Sequence, residues 1–316
     1  MAILYESIAP FARPTLIDPE FSPRPGVPLR LEPALRLVLA PNPSPMTERG
    51  TNTFLLGEGD ITVLDPGPAD PGHLRAILDA LAPGERIVQI LVTHSHKDHS
   101  PLARPLAEST GAPVLAFGDS RAGVSPRMAT LAAAGLTGGE GVDAGFSPDE
   151  RLPHGTDFEA GGAPIRAIHT PGHLGNHLCF LWRGALFSGD HVMGWAPSLV
   201  SPPEGDLTDF MHSLDVVEAL GPVRLYPGHG APVTDGLART RALRDHRLGR
   251  EAAIRAAAAA GARTPDAITR AVYRDVNPAL LPAALRNVLA HLIDLDARGI
   301  LRFDGTPGPE TPVSPP

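Results

Sequence analysis

Four potential metal ligands lie within six positions of one segment of the sequence, Thr93-His94-Ser95-His96-Lys97-Asp98-His99. Imidazole and carboxylate groups suit Zn²⁺, and they also bind iron and manganese. His94 and His96 alternate along the chain and could reach one cation, while Asp98 and His99 could reach a second. The segment therefore predicts a site for divalent cations.

Four more residues of ligand type each follow an apolar run, at places where a strand is predicted to end. They are Asp65, His173, Asp190 and His229. Glycines accompany all of them and allow tight turns, in Asp65-Pro66-Gly67, Pro171-Gly172-His173, Gly189-Asp190 and Pro227-Gly228-His229-Gly230. Because strand ends present side chains along one rim of a sheet, we expect a single cluster.

The elements that must position these residues are short apolar strands that alternate with helical patterns from residue 50 onward. This alternation indicates an α/β or α+β sandwich. Strands are predicted at 53–56, 61–64, 87–92, 164–168, 178–182, 185–187 and 223–226. Helices are predicted at 73–81, 127–134 and 207–220 from apolar residues at helical spacing.

The composition changes after residue 235. A long Ala/Arg helix is predicted at 236–260, and Thr264 followed by Pro265 starts a second helix that runs to about residue 273. A third helix at 278–298 and a strand at 300–303 complete a module that looks winged-helix-like. Residues 236–303 contain twelve arginines and six acidic residues, whereas the whole chain has a net charge of −8.

The motifs together resemble the metallo-β-lactamase superfamily over roughly residues 50–235. The HxHxDH pattern is His94, His96, Asp98 and His99, and the later motifs are TPGH at 170–173, SGD at 188–190 and PGHG at 227–230. The resemblance implies a four-layer αββα sandwich of the α+β class. Here a small C-terminal helical, winged-helix-like domain is expected to follow it.

The resemblance also implies a role for each ligand. It assigns the first metal ion to His94, His96 and His173 and the second to Asp98, His99 and His229. Asp190 would bridge the two ions, and Asp65 would orient the cluster. The expected cofactors are two divalent ions, with zinc first and iron or manganese as alternatives. A hydroxide bridging them would attack a carbonyl carbon or a phosphorus, so Asp98 and Asp190 are expected to be catalytic.

His177 is the third candidate catalytic residue, because it follows His173 by four positions. It could donate a hydrogen bond to an oxyanion or a phosphate beside the metals, or it could instead pack behind the ligands. His191 is expected to be structural. Cys179 lies within an apolar strand and is expected to be core, and the chain has no Gly-x-Ser-x-Gly motif.

The substrate is left open by the sequence. His246-Arg247 with Arg250-Glu251 resembles the β-lactamase-like protein 2 branch, whose best-known member is an endoribonuclease acting on single-stranded RNA. The resemblance implies cleavage of RNA or of a small ester, thioester or lactone. The basic residues agree with phosphate contacts, although i,i+4 pairs such as Arg241–Asp245 and Arg247–Glu251 would also explain them. The alternatives are a glyoxalase II-like thioesterase and a non-enzymatic, metal-dependent DNA-binding regulator.

The domain organisation follows from composition. We expect a catalytic domain at 1–235 with a proline-rich extension at 1–45, a winged-helix-like domain at 236–303 and a disordered tail at 304–316. One edge strand is predicted at 29–40. A single cysteine and no apolar run long enough for a bilayer predict a cytoplasmic protein without membrane partners. The sequence indicates no oligomeric state.

Overall fold

The computed structural model describes residues 21–138 and 141–315. The prolines at positions 10, 14 and 19, which lie in the predicted extension, fall outside this part. The helices are α1 (Pro71–Asp79), α2 (Ala103–Thr110), α3 (Pro126–Ala133), α4 (Leu207–Ala219), α5 (Gly236–Ala259), α6 (Pro265–Val272) and α7 (Leu281–Ala297), with a 3₁₀ turn at Pro278–Leu280. No helix in the described ranges is long and apolar enough to cross a membrane.

The strands form three sheets. The first seven are β1 (Leu29–Glu32), β2 (Leu35–Leu39), β3 (Asn52–Leu56), β4 (Asp60–Leu64), β5 (Arg86–Leu91), β6 (Val114–Ala116) and β7 (Glu150–Arg151), and they pair in that order. The next five are β8 (Asp157–Ala160), β9 (Ala163–His169), β10 (Leu178–Trp182), β11 (Ala185–Gly189) and β12 (Arg224–Pro227). They form a second sheet in the order β12-β11-β10-β9-β8, and β13 (Arg302–Phe303) pairs with β14 (Val313–Ser314).

The two large sheets face each other across an apolar interior. On β10, Leu178, Phe180 and Trp182 point into this interior, while Cys179 and Leu181 point to the opposite face. This alternation is the two-residue period of a strand that is buried on both sides. Across the interface, the rings of Phe54 from β3 and Phe187 from β11 meet edge to face, 5.0 Å apart.

Helices cover the outer face of each sheet. Ile77 of α1 and Leu106 of α2 pack on the seven-stranded sheet, and Phe210 of α4 and Leu243 of α5 pack on the five-stranded sheet. The layers therefore run helix, sheet, sheet, helix. The predicted αββα sandwich is confirmed.

The C-terminal module has its own core, formed by α5, α6, α7 and the β13–β14 ribbon. Ile254, Ile268 and Leu292 meet there, and Met128 of α3 joins them from the sandwich. The Thr264 hydroxyl accepts a hydrogen bond from the backbone N–H of Ala267, as its predicted capping role requires.

The tail prediction is wrong for the described residues. Val313 pairs with Phe303, donates its N–H to the carbonyl of Arg263 at 2.7 Å, and is buried in the core of the module. Its prolines prevent helix formation, but a proline-rich segment can still lie extended along a strand edge. The low complexity of the tail is thus evidence against a helix, but it is not evidence against an ordered, extended conformation.

Two further differences concern short elements. The single edge strand expected at 29–40 is a hairpin of β1 and β2, with Ala34 in the left-handed region at φ 59°. No element was expected between residues 100 and 117, where α2 and β6 lie. β6 has three residues, which are too few to show a two-residue period.

Candidate metal centre

The ends of five strands bring the predicted ligands to one place. The segment His94–His99 follows β5, and Asp65, His173, Asp190 and His229 follow β4, β9, β11 and β12. The potential ligand atoms form three groups, and within each group they all lie within 4.8 Å of one another. They are His94/His96/His173, Asp98/His99/His229 and His94/His99/Asp190.

Three imidazole nitrogens converge in the first group. His96 Nδ1 lies 3.0 Å from His94 Nε2 and 3.0 Å from His173 Nε2. The Nδ1–H of His173 donates to the Leu199 carbonyl at 2.7 Å, so its Nε2 carries the lone pair. His94 Nδ1 lies 2.9 Å from the Thr93 hydroxyl, whose own proton goes to Asp65, so His94 also presents an unprotonated Nε2.

The second group joins two imidazoles and a carboxylate. His229 Nε2 lies 3.3 Å from His99 Nε2 and 3.1 Å from Asp98 Oδ2. His99 Nδ1 bonds Asp65 at 2.9 Å and His229 Nδ1 bonds the Gly50 carbonyl at 3.2 Å. These bonds turn both Nε2 atoms inward.

Asp190 lies between the two groups. Its Oδ2 is 3.6 Å from His173 Nε2 and 3.4 Å from His229 Nε2. Its Oδ1 is buried and forms no hydrogen bond within the described protein. A Cβ atom on Gly228 would come within 2.6 Å of this oxygen, so only glycine lets the backbone pass so close to it.

Asp65 supports the cluster from behind. It accepts hydrogen bonds from the backbone N–H of Thr93 at 2.7 Å, from the Thr93 hydroxyl at 2.8 Å and from His99. It is almost fully buried and adopts φ 51° at the turn after β4. The structure thus places Asp65 where a carboxylate that orients the cluster was expected.

The charges of the centre are set by burial and by close neighbours. Burial would raise the pKa of Asp190, but His229 and His99 outweigh it and hold that pKa well below its usual value. Burial would lower the pKa of His229, but Asp190 and Asp98 raise it to about 9. Burial, followed by the nearby His173, lowers the pKa of His96 to about 3. The carboxylates of the centre are therefore ionised, and the imidazoles of the first group are neutral.

This donor set fits divalent cations. The Nε2 lone pairs of His94 and His173 compete for the single proton that His96 Nδ1 can carry, so at least one of them has no donor, and the ionised, buried Asp190 Oδ1 accepts no hydrogen bond from the described residues. A cation between these atoms resolves both problems. Imidazole and carboxylate are also the ligands of zinc, iron and manganese sites in proteins.

The structure corrects the catalytic assignment of His177. This residue is fully buried, its Nε2 accepts the backbone N–H of Asp190 at 3.2 Å, and its Nδ1 lies 2.9 Å from the Thr170 hydroxyl. Both nitrogens are occupied, so neither can donate to a substrate. His191 is fully buried against Phe210, which agrees with its expected structural role.

A cleft of about 570 Å³ opens above the centre. His96, Asp98, His173 and Asp190 lie on its lining. Most of the remaining wall is apolar, and the C-terminal module contributes a large share of it. Apolar side chains on this wall include Met46, Met193, Trp195, Val276 and Leu280.

Two buried arginines of α5 have a role that the sequence did not predict. Arg239 donates to the carbonyls of Met193 and Ala196, at 2.6 and 3.0 Å, and Arg247 donates to the carbonyl of Ser198. The expected Arg247–Glu251 ion pair is therefore wrong. The two arginines fasten the segment 193–198, which follows Asp190 and forms one wall of the cleft. Their eight-residue separation, which puts them on one helix face, was the only signal in the sequence.

The comparisons with known proteins agree with this architecture. Residues 46–229 match the metallo-beta-lactamase superfamily, and residues 264–308 match the beta-lactamase associated winged helix domain. The chain belongs to the metallo-β-lactamase superfamily, and it is a metal-dependent hydrolase by class.

Individual relatives bear on the resemblance to the β-lactamase-like protein 2 branch. The chain is 32% identical over 289 residues to the beta-lactamase-like protein 2 homolog of Drosophila melanogaster, covering 86% of this chain and 91% of the other. It is 32% identical over 226 residues to the atrochrysone carboxyl ACP thioesterase of Aspergillus chevalieri, covering 70% and 65%. A beta-lactamase domain protein from Burkholderia ambifaria superposes with a TM-score of 0.79 at 25% identity, covering 96% and 98%. The predicted resemblance to the β-lactamase-like protein 2 branch is confirmed.

Proposed function

We propose that this chain is a two-metal hydrolase that cleaves the ester or thioester bond of a small molecule. The observation that carries the proposal is that seven side chains of metal-ligand type converge and that four of them line a cleft with mostly apolar walls. Such a cleft suits a small substrate with an apolar body, of which only the reacting bond needs polar contacts.

The proposed ligands are those expected from the sequence. His94, His96 and His173 would hold one cation, Asp98, His99 and His229 the other, and Asp190 both. Zinc is the first candidate, with iron and manganese as alternatives. Two such ions lower the pKa of water and stabilise the negative charge that develops on the substrate.

The residues of the chain contribute orientation and exclusion of water. Asp65, the Leu199 carbonyl and the Gly50 carbonyl each fix one imidazole, and His177 holds the backbone N–H of Asp190. The apolar walls keep bulk water from the reacting bond. We propose that residues 1–235 form the catalytic domain and that residues 236–303, extended by the ordered tail, close the cleft. A cytoplasmic location is part of the proposal, supported by the buried free thiol of Cys179.

The arginines of the C-terminal module favour a small substrate over RNA. Ten of the twelve arginines at 236–303 bind carbonyl groups or acidic side chains of the protein itself. Arg250 and Arg274 are the two without such a contact among the described residues. A surface that binds nucleic acid needs several arginines free for phosphates.

RNA cleavage is the second candidate function. It is supported by the excess of six positive charges at 236–303 and by the likeness to the beta-lactamase-like protein 2 homologs. Glutathione thioesters test the glyoxalase II-like alternative. A sequence-specific DNA gel shift that survives Asp98→Ala would favour a regulator instead.

The test is a hydrolysis panel with metal-analysed protein. The panel contains thioesters, simple esters, lactones, phosphodiesters and single-stranded RNA. Asp98→Ala and Asp190→Ala are the inactivating variants, and Asp79→Ala, an exposed carboxylate on α1, is the matched control.

We expect turnover of thioesters or esters that both inactivating variants lose, together with part of their metal. RNA cleavage that the variants lose would replace the proposal with the second candidate. Full activity and two metal ions in Asp190→Ala would contradict the ligand assignment.

A further inference from the structure

The wall of the cleft formed by the C-terminal module carries an arginine that no acidic side chain among the described residues neutralises. Arg250 of α5 lines the cleft, and its guanidinium lies over the ring of Tyr273 at 4.2 Å. It forms no ion pair or hydrogen bond with any residue the structure describes, and its Nε is buried without a partner. A guanidinium placed in this way is a donor that lacks an acceptor.

Asn287 presents a second donor to the same cleft from α7. Its Oδ1 accepts from Arg247 Nη1 at 3.1 Å, which fixes the orientation of the amide. The Nδ2 of Asn287 donates to no atom of the described protein, although the residue lines the cleft. The buried Arg247 therefore fixes the orientation of the Asn287 amide so that its NH2 group faces the cleft.

Tyr273 adds a third donor at the end of α6. It lines the cleft, and its hydroxyl has no hydrogen-bond partner among the described residues. Burial raises the pKa of Tyr273, so the hydroxyl keeps its proton. Three donors that have no acceptor among the described residues thus line one cleft, from α5, from α7 and from the residue that follows α6.

The surroundings of these donors are positive. Burial lowers the pKa of His246 to about 3, and the charged groups that lower it further are Arg247, Arg250 and Arg239. The acidic residues on the lining are Asp98 and Asp190 of the metal centre and Glu204. Glu204 lies beside Gly138, where a Cβ would come within 2.5 Å of its Oε2.

We propose that Arg250, Asn287 and Tyr273 form a subsite for a carboxylate or phosphate group of the substrate. The subsite deepens the proposed function and rests on it, because it makes the preferred substrate an anionic ester or thioester. The reacting bond would lie at the metal centre, the apolar body along the cleft wall, and the anionic group against Arg250.

The experiment uses metal-loaded, full-length protein and measures binding by calorimetry. One series contains linear dicarboxylates from succinate to sebacate, and the second contains monocarboxylates of equal length. Both series offer a carboxylate to the metals, so only the second anionic group distinguishes them. A third series replaces the second carboxylate with a phosphonate, which separates a carboxylate subsite from a phosphate subsite.

We expect a chain length at which the dianion binds about ten- to a hundredfold more tightly than its monocarboxylate, as a charged hydrogen bond allows. Arg250→Gln should remove this advantage. Arg255→Gln is the matched control, because Arg255 lies on the same helix, is 55% exposed and is paired with Glu251. Arg250→Lys keeps the charge but loses the planar fork, and should keep an advantage reduced about threefold or more.

The proposal is overturned if no dianion outbinds its monocarboxylate in the wild type, or if the advantage persists in Arg250→Gln. If Arg250→Gln fails to fold, an unchanged advantage in Arg250→Lys overturns it instead. Calorimetry needs no turnover. A protein that hydrolyses no ester but binds dianions through Arg250 would therefore contradict the proposed function and leave the subsite standing. Ester turnover in a protein that binds dianions no more tightly than monocarboxylates would contradict the subsite and leave the proposed function standing.

Discussion

The metal centre is organised by which nitrogen of each imidazole carries the proton. His94, His99, His173 and His229 each engage Nδ1 with a hydroxyl, a carboxylate or a carbonyl, and each turns Nε2 inward. Such partners fix the tautomer and the ring plane and make the free nitrogen a better ligand. The ligand set thus depends on residues that would never touch a metal.

His177 is the clearest case of such dependence. We expect His177→Ala to lower metal content and to destabilise the fold by about 2–4 kcal/mol, because it leaves a cavity and a buried Asp190 N–H without an acceptor. The measurements are metal analysis and denaturant unfolding. His212→Ala, at an exposed position of α4, is the control and should change neither. A variant with normal stability and metal but slow turnover would restore the catalytic assignment.

Cys179 should be chemically inert in the folded protein. Burial raises the pKa of its thiol to about 12, so near pH 8.5 the reactive thiolate is about a thousandfold rarer than for an exposed cysteine. We expect iodoacetamide to label the native protein far more slowly than the guanidinium-unfolded protein, as followed by mass spectrometry. As pH rises, labelling of the native protein should stay slow until the alkaline range. Rapid labelling at pH 8.5 would show that β10 opens.

The convergence of the candidate ligands could be predicted from the sequence because each of their segments follows an apolar strand, and four of the residues lie beside glycines that allow tight turns. The role of His177 could not, because it depends on where the chain turns after β11. At that turn Gly189 adopts φ 47°, and a Cβ there would come within 2.6 Å of His177 Nε2. No periodicity in the sequence encodes that contact.

At the scale of elements, α5 belongs to both parts of the molecule. One face packs Leu243 on the sandwich, and Ile254 enters the core of the C-terminal module. Its arginines have two different roles, surface ion pairs and buried hydrogen bonds to carbonyls, and the composition alone does not distinguish them. Arg241 and Arg244 pair with acidic residues of α4, whereas Arg239 and Arg247 are buried and bind carbonyls.

This difference gives a prediction for the helix. Arg239→Met should destabilise the protein by about 2–4 kcal/mol, because it leaves the carbonyls of Met193 and Ala196 buried without donors. Arg241→Met, at a side chain that is 59% exposed, should cost less than about 1 kcal/mol. Denaturant unfolding of both variants checks the prediction. Equal effects would mean that Arg239 does not hold the cleft wall.

The long helices could be predicted from the spacing of their apolar residues, whereas α2, β6 and β14 were not predicted. The helices at 207–219 and 236–259 carry enough turns for their apolar faces to be read from spacing. The β13–β14 ribbon has two residues in each strand, and its order comes from Val313 entering the core of the module. Contacts of that kind depend on tertiary packing rather than on local pattern.

The whole molecule is joined at the metal centre. His94, His96, Asp98 and His99 follow a strand of the seven-stranded sheet, whereas His173, Asp190 and His229 follow strands of the five-stranded sheet. Each proposed cation would therefore link the two sheets. Unfolding separates these ligands, so the cations should bind the folded chain far more tightly than the unfolded chain.

Removing the metals should consequently lower the stability of the entire fold. With free metal at a thousand times its dissociation constant, the linkage is worth about 4 kcal/mol for one site. We expect a chelator to lower the thermal midpoint of the wild type, as recorded by circular dichroism, and added zinc to restore it. Asp190→Ala should already unfold near the temperature of the chelated protein and respond little to the chelator, whereas Asp79→Ala should behave as the wild type. An identical midpoint with and without metal would mean that the ligands of the two sheets do not share cations, even if the protein binds metal elsewhere.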